Sequence, residues 1–94
     1  MLKSFKSKAL RKFWERSDTS GLRPDWIARI ERQLDALDQA TRPEDVDLPG
    51  FGFHALKGNL AGRYALTVSK NWRLTFAFDG EDITDVDLED YHHG

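Results

Sequence analysis

The chain has 94 residues, with 14 Lys or Arg, 16 Asp or Glu, no Cys and a formal net charge of −2. That length supports one domain, residues 1–94, and the absence of cysteine excludes disulfides, thiolate metal sites and a cysteine nucleophile. No apolar run approaches the roughly 20 residues that span a bilayer, and the charged start Met1-Leu2-Lys3-Ser4-Phe5-Lys6 lacks the apolar stretch of a signal peptide, so a cytoplasmic chain is expected.

In chain order, Leu2 to Phe5 fit a short strand. Ala9, Leu10, Phe13 and Trp14 then recur at helical spacing over a lysine-rich surface. The turn formers Ser17-Asp18-Thr19-Ser20-Gly21 end that helix. Pro24 suits the first position of a second helix and Asp25 its positive end. Ile27, Ile30, Leu34 and Leu37 make one apolar stripe, with Arg, Glu, Gln and Asp on the other faces, and Thr41-Arg42-Pro43 stops the helix. Pro43, Pro49, Gly50 and Gly52 mark 43–52 as a loop.

From Phe53 the period changes to two. Tyr64, Leu66 and Val68 point one way, and Ala65, Thr67 and Ser69 the other. After Lys70-Asn71, the residues Leu74, Phe76 and Phe78 face the core, while Arg73, Thr75 and Ala77 face away. Asp79-Gly80 signals a hairpin turn. A last strand puts Val86 and Leu88 inward, Asp85 and Asp87 outward. Two helices before a mostly antiparallel sheet give the α+β class, with both helices on one face. The other face, small and polar and carrying Arg73, has nothing obvious to cover it.

Charge is unevenly spread. Residues 1–16 hold six Lys or Arg and one acid, residues 54–73 hold Lys57, Arg63, Lys70 and Arg73 without an acid, and seven acids crowd 79–90. The acidic total argues weakly against a nucleic-acid binder, but it is compatible with a local basic face. In His54-Ala55-Leu56-Lys57-Gly58, a histidine and a lysine three apart can both reach an anion, although the same residues fit a polar strand end. Arg73 can fork onto a phosphate, or pack on Trp72, or pair with the acidic last strand. In the tail, Tyr91 can stack on a base and His92 can carry a proton near neutrality; Tyr91 can equally close a core edge. H-E-x-x-H, EF-hand, P-loop, dinucleotide and G-x-S-x-G patterns are all absent, so no metal or cofactor is expected.

The ordered set His54-Ala55-Leu56-Lys57-Gly58, Asn71-Trp72-Arg73-Leu74-Thr75-Phe76 and Asp90-Tyr91-His92, together with Lys3-Ser4-Phe5-Lys6, resembles the HigB toxins of the RelE/ParE superfamily. The resemblance runs almost end to end. It implies the RelE-like microbial RNase fold and a ribonuclease of a type II toxin–antitoxin system that enters the ribosomal A site and cleaves messenger RNA there. It further implies a metal-independent reaction in which the RNA 2′-hydroxyl attacks the neighbouring phosphate. A HigA-type helix-turn-helix antitoxin, as a dimer within a heterotetramer, would neutralise the toxin and reach operator DNA.

Carried over by position, His54, Lys57, Arg73, Asp90, Tyr91 and His92 are the candidate catalytic residues. Lys57 and Arg73 would stabilise phosphate charge, and His92, with His54 as rival, would move the proton. Tyr91 would hold a base or position the phosphate, with Lys70 and Arg63 as further RNA contacts. The chain departs from many relatives in one respect: they carry an arginine on the strand before the N-W-R turn, where this sequence has Thr67-Val68-Ser69. Either Lys70 or Arg63 substitutes there, or the catalytic contact is weaker or shifted. Two further readings remain, a ParE-like toxin that binds gyrase and a degenerate toxin that only holds its antitoxin as co-repressor.

Overall fold

The computed structural model describes residues 1–90. Helix α1, Lys8–Arg16, starts at Ser7, whose hydroxyl accepts from the Leu10 N–H at 3.2 Å, and stops at Ser17 in the left-handed conformation. These two caps satisfy backbone groups that a short helix otherwise leaves to water. A 3₁₀ turn at Pro24–Trp26 leads into α2, Ile27–Gln39, with proline at the leading position as its missing N–H allows.

The sheet is antiparallel throughout, in the order β1 (His54–Ala55), β2 (Arg63–Thr67), β3 (Trp72–Asp79), β4 (Asp82–Asp90). At the free edge of β4 the N-terminal segment adds parallel bridges, Leu2 to Ile83 and Phe5 to Val86. The Lys3 and Lys6 N–H groups each donate across this seam at 2.8 Å, and that edge is thereby occupied. The fold is the α+β arrangement that the periodicities imply.

The core lies between the helices and one sheet face. Leu10, Ile30, Leu34, Leu37, Leu66, Leu74, Phe76, Ile83 and Val86 have no exposed surface. An aromatic file crosses the same face, with Phe53 on Tyr64 at 5.7 Å between ring centroids, then Tyr64 on Phe76 at 5.8 Å and on Phe78 at 5.9 Å. Such pairs contribute about 0.5–1.5 kcal/mol beyond their buried area.

Three expectations need correction. Residues 43–52 are not all loop: Pro43–Val46 form a 3₁₀ turn that drives Val46 into the core. Gln33 is not on a polar face of α2. It is fully buried, and its amide donates to the Thr67 carbonyl at 2.7 Å, fastening the helix beneath the end of β2. Third, the outer sheet face is less bare than its small residues suggest, since Ala65 is 1% and Thr75 0% exposed. The Arg63 side chain crosses over Thr75, held there by hydrogen bonds to the Thr75 hydroxyl and the Asp85 carbonyl.

Candidate functional site

Strand register fixes which residues share the outer face, because directly paired residues point the same way. His54 pairs with Ala65, Ala65 with Thr75 and Thr75 with Asp87, making one row across all four strands. Thr67, Arg73 and Glu89 make a second row, and Arg63, Ala77 and Thr84 a third. His54, Arg63 and Arg73 therefore stand on one face, opposite the helices. Arg63 and Arg73 sit on β2 and β3 and His54 on β1, whereas Asp87 and Glu89 occupy β4.

The two arginines are held by different means. Arg63 reaches across β3, where its Nη2 donates to the Thr75 hydroxyl at 3.0 Å and to the Asp85 carbonyl at 3.0 Å. Thr75 in turn donates a short bond to the Glu89 carboxylate. The chain Arg63–Thr75–Glu89 thus ties three strands together over a buried hydroxyl. Asp85 offers its carbonyl there because its backbone is left-handed, at the bulge where β4 has two residues facing one of β3. Arg73 instead turns back on its own hairpin. Its Nη1 donates to the carbonyls of Ser69 at 2.9 Å, Trp72 at 3.2 Å and Lys70 at 3.3 Å. This holds the β2–β3 turn shut and points positive charge at the end of the outer face.

Lys57 lies just past β1, beyond the last ladder bond from the Leu56 N–H to the Arg63 carbonyl at 2.9 Å. Its backbone is extended and its side chain is exposed. Among the described residues that side chain makes no hydrogen bond or ion pair. Asp90 pairs with Trp72, one residue out of phase with Arg73, so Glu89 shares the outer face with the arginine and Asp90 does not. Tyr91 and His92 lie outside the described residues. Glu89 escaped the sequence reading: no motif marks it, and only the register across the bulge puts it opposite Arg73.

Lys70 lies in the β2–β3 turn and not on the ladder of the outer face. It is exposed in the turn and lines a pocket of about 290 Å³ with Arg23, Asp25, Trp26, Asn71 and Trp72. Here Trp26 packs on Trp72 at 5.4 Å, and the Arg23 guanidinium lies 5.3 Å from the Trp26 ring centroid. Arg23 is paired with Asp25 at 3.2 Å, and its side-chain hydrogen bond holds that carboxyl below the usual range. Of the two proposed substitutes for the absent strand arginine, Arg63 is thus on the outer face and Lys70 at the turn. Val68 is 4% exposed and belongs to the core cluster.

Comparison with known proteins decides the family. The model of HigB-like toxins, RelE-like toxins of type II toxin–antitoxin systems, matches residues 3–92. This chain belongs to the HigB-like toxin family. It is similar to the protein named Endoribonuclease HigB of Proteus vulgaris, with 39% identity over 92 residues that cover 98% of this chain and 100% of that one. It is also similar to Toxin HigB-1 of Vibrio cholerae serotype O1, with 37% identity over 78 residues, 81% of this chain and 82% of the relative. Two crystal structures of YafQ from E. coli share the fold. A histidine-to-glutamine mutant of YafQ has a TM-score of 0.61 at 16% identity, and the BL21(DE3) protein 0.54 at 12%; each alignment covers 96% of this chain and 91% of the other. The matched region of this HigB-like toxin includes both helices and all four strands, so the outer face belongs to the family domain itself.

Proposed function

We propose that this HigB-like toxin is an endoribonuclease that cuts messenger RNA in the ribosomal A site, with the scissile phosphate over the β1–β3 part of the outer face. Family membership and 39% identity across 98% of the chain to a protein named as an endoribonuclease support the activity. The observation that carries the placement is the register, which puts His54, Arg63 and Arg73 on one face that neither helix covers.

In this reaction the RNA 2′-oxygen attacks the adjacent phosphorus and gives up its proton to a histidine, His92 or His54. The bond to the 5′-oxygen breaks, and that oxygen takes a proton, leaving a 2′,3′-cyclic phosphate and a 5′-hydroxyl. Negative charge grows on the non-bridging oxygens as the phosphorus becomes five-coordinate. Preplaced cations stabilise that charge without reorganising. Arg73 is held toward the end of the face by its turn bonds, and the unpaired, exposed Lys57 is free to swing onto a phosphate from the rim. Tyr91 stacks on or positions the substrate, and Asp90 orients His92. The toxin belongs to a type II pair, so an antitoxin is its protein partner. We assign that partner to the HigA type, acting as a dimer in a heterotetramer, and place the toxin in the cytoplasm.

The test is inducible expression of the wild type and of Lys57→Ala/Arg73→Ala, with growth and message ends followed by primer extension. Growth arrest and cuts within translated regions for the wild type alone support the reading, provided the variant is folded by circular dichroism. Arrest by both proteins with intact messages overturns it in favour of a binding toxin such as one acting on gyrase. If neither inhibits growth, the chain serves only to hold its antitoxin.

A further inference from the structure

A second cationic feature lies round the rim of the sheet from Arg73. Arg29 and Arg32, one turn apart on α2, line a pocket of about 290 Å³ with Pro49, Gly50 and Phe51. No acid lines it, unlike the pocket at Lys70, where Asp25 neutralises Arg23. Arg29 donates to the Gly50 carbonyl at 3.1 Å, which fixes its guanidinium against the loop. Arg32 is exposed, and its side chain makes no hydrogen bond or ion pair among the described residues. Two guanidiniums beside an aromatic ring match the chemistry of a nucleotide backbone: forked donors for the phosphate and an apolar surface for the adjoining sugar or base.

The loop that forms the pocket is physically continuous with the outer face. The Thr67 N–H donates to the Phe51 carbonyl at 2.8 Å, extending the edge of β2 past the short β1. Gly52 lies so close that a Cβ there would overlap the Thr67 hydroxyl. Thr67 is the direct partner of Arg73 in the second row of the outer face. From Arg73 to the pocket, the path runs through Thr67 and then the 50–52 loop, with no acid on it. In the other direction along that row stands Glu89. A polyanion leaving Arg73 therefore meets cations on the loop side and a carboxylate on the β4 side.

We infer that Arg29 and Arg32 form a phosphate subsite that grips the RNA chain after it leaves the outer face over the 50–52 loop. The inference rests on the reading of that face as the RNA-cleaving one. It adds a contact remote from the scissile bond, serving affinity and not chemistry.

The experiment uses the full chain and labelled 2′-O-methyl RNA, which lacks the attacking hydroxyl, in lengths of about 4 and about 16 nucleotides. Affinity is measured against salt concentration for the wild type, Arg32→Gln, Arg32→Lys and Lys6→Gln; Lys6 sits at the far, β4 edge of the sheet. Releasing one single-strand phosphate contact lowers the slope of log K against log salt by about 0.7. Arg32→Gln is expected to show that drop with the longer RNA and to weaken it roughly two- to fivefold at low salt, the range of an exposed charge pair. The shorter RNA should be unaffected, Arg32→Lys should largely restore the slope, and Lys6→Gln should match the wild type.

An equal drop with Lys6→Gln would mean diffuse attraction and overturn the subsite. So would an unchanged slope for Arg32→Gln. Loss of antitoxin affinity with unchanged RNA binding would assign the pocket to a carboxylate of the protein partner. Failure of the wild type to bind the longer RNA also overturns the subsite, while message cleavage in cells, read by primer extension, independently reports whether the ribonuclease reading stands.

Discussion

Thr75→Val separates the architecture of the outer face from its chemistry. Thr75 is 0% exposed, yet its hydroxyl accepts from the Arg63 guanidinium at 3.0 Å and donates to the Glu89 carboxylate. Valine keeps the shape and β-branching that a central strand prefers, so the backbone has no reason to move. What changes is that two charged partners lose a buried bond. Each hydrogen bond to a charged group is worth about 1.5–3 kcal/mol. The sum is discounted here because Arg63 keeps the Asp85 carbonyl at 3.0 Å and Glu89 is only half-buried, so water can replace its donor. The extra buried methyl returns somewhat less than about 1 kcal/mol. A net loss of about 2 kcal/mol remains, which lowers Tm by roughly 8–16 °C in a domain of this size. Urea unfolding followed by circular dichroism gives the free energy, and an unchanged m-value shows that the denatured state is the same. Valine at or above wild-type stability, with m unchanged, would refute the claim that this hydroxyl ties the three strands together.

Other residues make separate claims. Arg73→Ala should cut message cleavage by about 10²–10³-fold, the usual cost of one preorganised donor at a developing charge, and Arg73→Lys should recover little because an ammonium cannot present two parallel donors to a phosphate as a guanidinium does; primer extension beside a melting curve separates lost chemistry from lost folding. Gly52→Ala should destabilise by about 1–3 kcal/mol, since Gly52 has φ +61° and its new methyl would meet the Thr67 hydroxyl; a melting curve superimposable on the wild type would show that the loop is not seated as described. Asp45 accepts the Thr41 N–H, which with Arg42 holds its carboxyl below the usual value. A depressed carboxyl stabilises above its unfolded pKa, and that contribution disappears as pH falls through the lower folded value. Asp45→Asn should therefore lose stability at neutral pH and narrow its gap to wild type below about pH 4; a gap that is constant with pH would refute this.

The elements that could be read from the sequence are those whose pattern is local. The stripe Ile27, Ile30, Leu34, Leu37 became α2, and Leu74, Phe76 and Phe78 alternate inward on β3, because each residue's face follows from its own chain period. Asp79-Gly80 closes the β3–β4 hairpin, with Gly80 at φ +63° as such turns require. The misread features depend on partners distant in sequence. Gln33 looks solvent-facing until Thr67, 34 residues on, supplies its acceptor. Thr75 looks exposed until Arg63 crosses the sheet to cover it. The bulge at Asp85 moves the register of β4 by one, and only that shift decides whether Glu89 or Asp90 faces Arg73. Residue type named the candidate cations of the site, but it carried no information on which of them were already engaged with the protein: Arg63 and Arg73 are held, Lys57 is not.

The same arrangement explains how a chain of net charge −2 can present a surface to RNA. On the outer face Arg63 and Arg73 stand on β2 and β3 and His54 on β1, with the acids Asp87 and Glu89 on β4. Strands are about 4.8 Å apart, so β2 and β4 are separated by about 10 Å. The Debye length at physiological ionic strength is about 8 Å. The Arg63 guanidinium reaches over β3 to Thr75 and the Asp85 carbonyl and so offsets Glu89, while a phosphate over β1 or β2 lies more than one screening length from the β4 strand. Moved one strand toward β4, the phosphate comes under Glu89. Total charge is therefore a poor guide for this fold. The gradient across the strands sets where a polyanion can lie, and on the proposed reading the RNA is expected on the side of the sheet that carries His54 and opens toward Lys57.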